Sequence, residues 1–234
     1  MKNLKAVLLI SFIMIVGSLS NAYGQNLNLF KSLLDSCRMN YTVPEGYVEC
    51  DIKKNRNMSY EYALKPVGED NFEIRYSIRP ITKKEYASEE EKESLESMSE
   101  FRNSGYDVAF TAILFNISQG GAIKPQLFDK VSVKNDFNAD WGSFSKVEFT
   151  SKSEFGEGFK SCMAIAIHKE NVADAYIYYL FNDDSLFEKY AMPIFKILRF
   201  DEGGELQTQQ DPRMLGDWKL TDNQSSLWGR TRRN

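Results

Sequence analysis

Histidine occurs once in these 234 residues, at His168, and cysteine three times. One imidazole rules out zinc sites built on two or three histidines. With no C-x-x-C pair, a Cys3His site would have to be gathered from Cys37, Cys50, Cys162 and His168. No metal or cofactor is therefore expected. The G-x-S-x-G elbow, the phosphate-binding P-loop and the G-x-G-x-x-G fingerprint are all missing. Cys162 and His168 resemble a nucleophile and its base, but six residues of one extended strand hold them about 20 Å apart, beyond hydrogen-bond reach. Carboxylate chemistry stays open in a chain with 33 acidic residues. The adjacent Asp183 and Asp184 read as a cap and turn rather than as an acid and base.

Long hydrophobic runs and basic stripes are also lacking. The stretch Ala6 to Val16 falls short of the roughly 20 apolar residues that span a bilayer. It follows Lys2 and Lys5 and precedes a small-residue exit at Ala22, Tyr23 and Gly24, which reads as a secretory signal over residues 1–24, cut before Gln25. No cysteine lies at the cut to carry a lipid, so the mature chain is expected to be soluble, periplasmic or extracellular, with no membrane span. The net charge of −4 becomes more negative when Lys2 and Lys5 leave, and no basic cluster offers phosphate neutralisation, so nucleic acid is excluded as a partner.

Three cysteines cannot all pair within one chain. In an oxidising compartment Cys37 and Cys50 are the pair to bridge, closing a short loop worth about 3 kcal/mol in the chain-entropy model. The alternative is three reduced thiols, with Cys162 a small core residue.

What is present is periodicity. Leu27, Phe30, Leu33, Leu34 and Cys37 follow helical spacing over residues 27–39. Met58, Tyr60, Tyr62 and Leu64 alternate with Ser59, Glu61 and Ala63, and Phe72, Ile74, Tyr76 and Ile78 alternate with Glu73, Arg75, Ser77 and Arg79. Joined across residues 67–71, these predict an antiparallel hairpin with one wet face. The glutamate-rich stretch 83–100 predicts a solvated helix. The run Tyr106–Ile117 predicts a packing helix or a strand, stopped by Gly120 and Gly121. Residues 128–141 end in a turn at Asp140, Trp141 and Gly142.

Phe159, Ser161, Met163, Ile165 and Ile167 alternate with Lys160, Cys162, Ala164, Ala166 and His168. One face of that strand is bulky and the other small, which lets a helix or another backbone approach closely. The return strand Tyr176–Phe181 completes a second hairpin. Asp184 and Ser185 cap an apolar helix that Pro193 interrupts. From residue 201 the composition turns polar, with Trp218 and Trp228 in an expected mobile tail that docks back or meets a partner.

The bulky and small strand 159–168, the aromatic return through Tyr176, Tyr178, Tyr179 and Phe181, and the closing Lys196, Ile197, Leu198, Arg199, Phe200 together resemble the small α/β proteins of the PsbP and Mog1 type over roughly residues 47–200. The resemblance implies an α+β sandwich, an antiparallel sheet of hairpins flanked by helices, and a binding or assembly role. No family site residue matches. The expected organisation is a signal (1–24), one α+β domain (25–200) and a polar tail (201–234). The expected function is a non-enzymatic module that binds a protein or small ligand, with Asp140, Trp141 and His168 as the contact candidates. A secreted hydrolase assembled from distant carboxylates or a Cys/His pair is the alternative.

Overall fold

The computed structural model describes residues 27–81, 100 and 103–201. The signal, nearly all of the glutamate-rich stretch and the tail with Trp218 and Trp228 lie outside the described residues. Helix α1 (27–36) buries Phe30 and Leu34, as their spacing requires. A seven-stranded antiparallel sheet follows, in the order β2 (Tyr47–Glu49), β3 (Tyr62–Pro66), β4 (Phe72–Pro80), β8 (Ala173–Phe181), β7 (Ser161–Lys169), β6 (Trp141–Glu148), β5 (Gln126–Leu127). Outside it, β1 (Met39–Asn40) pairs with β9 (Arg199–Phe200). The fold is α+β, with helices on a sheet built around two hairpins.

Each hairpin turns where the backbone tolerates a left-handed residue: Gly68 (φ +77°) between β3 and β4, and Asn171 (φ +59°) between β7 and β8. Register then sorts the side chains. One face of the sheet carries Cys162, Ala164 and Ala166 from β7, and α2 (Tyr106–Ile117) lies on it with Phe110, Leu114 and Ile117 buried against them. The small residues admit the helix; the ambiguous run 106–117 is helical because its i, i+4, i+7 residues have that surface to bury against. The opposite face carries Tyr62, Tyr76, Ile165 and Tyr179. It is covered by Phe30 of α1, whose ring stacks on Tyr62 at 4.6 Å, and by Phe187 and Phe195 from the C-terminal helical turns. Helix α3 (Lys130–Phe137) opens under Asp129, whose carboxylate accepts from Val131 and Ser132 N–H, and closes at left-handed Asn138.

Four sequence expectations change. The first hairpin has no wet face, because Glu73, Arg75 and Ser77 are buried. Arg75, 1 % exposed, bonds Glu73 at 2.5 Å and the Phe155 carbonyl, and lies between the Tyr60 and Phe155 rings at 4.8 and 4.9 Å. The two-residue period also breaks near Glu61: Tyr60 packs with Ala63 beneath α2, on the other side of the sheet from Tyr62. Trp141 opens β6 instead of ending a turn, and Ser143, Ser145 and Lys146 of that strand hid its pattern. The final helical segment ends at Ile194, and Arg199 and Phe200 form β9 because β1 supplies a partner.

Candidate functional site

The β7–β8 turn brings His168 directly opposite Asp174, and β6 places Trp141 opposite His168 on the other side. His168 Nδ1 lies 2.8 Å from Asp174 Oδ1, with the two residues only 3 % and 5 % exposed. Tyr106, the first residue of α2, stacks over the imidazole at 4.2 Å and meets Trp141 at 4.8 Å. Asp140 N–H donates to the His168 carbonyl at 2.9 Å, and the Asp140 carboxylate accepts from Glu170 N–H at 3.0 Å. Asp140, Trp141 and His168 therefore come together in three different positions. Asp140 is exposed and ties down the turn, Trp141 is half-buried, and His168 is a core residue.

Beside this cluster, a cleft of about 250 Å³ opens between α2 and the ends of β4 and β8. Met58, Gly105, Ala109 and Ile113 give it apolar walls; Arg79, Asp174 and Tyr176 line it as well. Arg79 and Asp174 are cross-strand neighbours. Arg79 Nη1 donates to Glu61 at 2.7 Å and to the Ile78 carbonyl, and Nη2 donates to the Ser59 carbonyl and hydroxyl. Each charge in the cleft is thus fixed by a group other than its neighbour: Glu61 holds Arg79, and His168 holds Asp174. Sequence reasoning missed this pairing, because β4 and β8 are far apart in the chain and only the register brings Arg79 to Asp174.

Two of the three thiols, Cys50 and Cys162, are shifted away from reactivity. Cys37 and Cys162 are buried, and Cys50 is half-buried, packed beneath α2 with the Tyr60 and Phe155 cluster. Burial, reinforced by the Glu73 carboxylate, pushes the Cys50 thiol up to about 12, and burial pushes Cys162 up as well. A reactive cysteine needs the reverse shift. Among the described residues no serine, threonine or cysteine side chain bonds His168, no group of three or more His, Cys, Asp or Glu could hold a metal ion, and no helix is long and apolar enough to cross a membrane.

No protein-family model matches the chain, and no curated protein matches its sequence. The chain is similar in structure to cyanobacterial PsbP (CyanoP) from Synechocystis sp. PCC 6803, solved in solution, with 9 % identity over 69 % of this chain and 84 % of that one and a TM-score of 0.38. The α+β assignment stands on the strand order and register.

Proposed function

We propose that this protein is an exported, non-enzymatic module of the periplasm or extracellular space that binds its partner at the end of the sheet where the cleft opens. The observation that carries this reading is the cleft itself: apolar walls and a few polar groups already held in place. Asp140, Trp141 and His168 frame that end of the sheet. Asp140 and Trp141 are the accessible contacts, and His168 supports them from below. Either a small molecule seated in the cleft or a protein reaching across Trp141 would use this surface.

A fragment screen followed by two-dimensional amide NMR tests the reading. Binding that shifts Gly105, Ala109, Ile113 and Tyr176 supports it, and hits confined to other surfaces overturn it. A secreted hydrolase is the second reading, favoured by one observation, the 2.8 Å His168–Asp174 contact. Turnover of p-nitrophenyl acetate that is lost in His168→Gln with the fold intact would replace the binding reading with this one.

A further inference from the structure

The cleft offers one donor and one acceptor that no described residue engages. Four of the five guanidinium N–H bonds of Arg79 are assigned: two on Nη1 to Glu61 and Ile78, and two on Nη2 to the backbone and side chain of Ser59. Nε–H has no partner among the described residues. Asp174 gives Oδ1 to His168, and its Oδ2 likewise has no partner among the described residues. These groups are on adjacent strands in direct register, in one cleft.

From this pairing we infer that the cleft takes a small neutral molecule with a short apolar body and a carboxamide head, the amide oxygen accepting from Arg79 and the amide N–H donating to Asp174. The inference rests on the binding reading above and names its ligand class. The chemistry decides between heads. A carboxylate would satisfy Arg79 but confront Asp174; an ammonium would satisfy Asp174 but confront Arg79. Only a group with a donor and an acceptor side by side satisfies both, and burying an unmatched polar group is what makes such sites selective. The apolar body lies against Met58, Ala109 and Ile113, and about 250 Å³ limits it to a few carbons. A carboxamide can come from a free primary amide or from a peptide unit.

The test uses the full chain and four probes in amide NMR titrations: hexanamide, hexanoate, hexylamine, and N-acetyl-leucine N-methylamide as the peptide unit. Hexanamide is expected to shift Gly105, Ala109, Ile113 and Tyr176 and to bind about tenfold more tightly than either charged analogue. The leucine derivative exceeding hexanamide identifies a peptide source, and the reverse identifies a free amide; both support the assignment. Asp174→Asn removes the charge that repels hexanoate while keeping side-chain size, so it is expected to erase the preference for amide over carboxylate. Arg79→Lys, which lacks Nε–H, is expected to weaken hexanamide. A charged probe binding in the cleft as well as hexanamide, or a preference unchanged in folded Asp174→Asn, overturns the head-group assignment but leaves the binding reading standing. No shift at those four residues from any probe overturns the carboxamide assignment, while the fragment screen decides the binding reading separately.

Discussion

The two faces of one sheet are built from different materials. Beneath α2 the sheet buries Glu73, Arg75, Ser77, His168 and Asp174 among small residues of β7 and the rings of Tyr60, Tyr176 and Tyr178, and the cleft opens there. The opposite face is a layer of rings, with Tyr62, Tyr76 and Tyr179 packed under Phe30 of α1 and the C-terminal turns. The aromatic face derives stability from area, which is forgiving of exact placement. The polar face depends on each charge keeping its partner, which fixes positions and leaves side chains that a ligand can address.

The difference breaks most visibly at Arg75. Arg75→Leu leaves Glu73 buried without its cation, and a loss of about 3–5 kcal/mol is expected in urea unfolding. Adding Glu73→Leu should recover much of that loss, and a double variant no better than the single would show that the Arg75 contacts to Tyr60 and Phe155, not the ion pair, carry the stability. Ala164→Leu comes next. It fills the space that admits α2, so about 1–3 kcal/mol should be lost. The smallest effect belongs to the aromatic face. Tyr179 is fully buried and its hydroxyl has no hydrogen-bond partner among the described residues. Tyr179→Phe should therefore change stability by less than about 1 kcal/mol, or raise it. A loss equal to that at Arg75 would erase the distinction between the faces.

Much of this was legible in the sequence, unevenly. The two hairpins and the stripe of small residues follow from local alternation, which reports the backbone period directly. Trp141 and His168 were singled out and do stand side by side, while β6 escaped because serines and a lysine at its buried and half-buried positions look like a loop. The buried state of Arg75 and the Arg79–Asp174 pairing were not readable, since alternation marks a polar face without saying whether something will cover it. The covering came from α2 and from Phe155, elements distant in the chain whose arrival no local pattern records.

The pairing of β4 with β8 at the middle of the sheet also governs how the chain must fold. Phe72 faces Phe181 and Pro80 faces Ala173, so the first hairpin, formed early in synthesis, meets its central neighbour only after most of the polypeptide has been made. Bringing such distant segments together costs loop-closure entropy before any contact repays it, which places this topology among slow folders. Until then the inner edge of β4 is an unpaired strand lined with aromatic residues, open to the wrong neighbour. A chain of this design gains from being held extended until its last strands arrive.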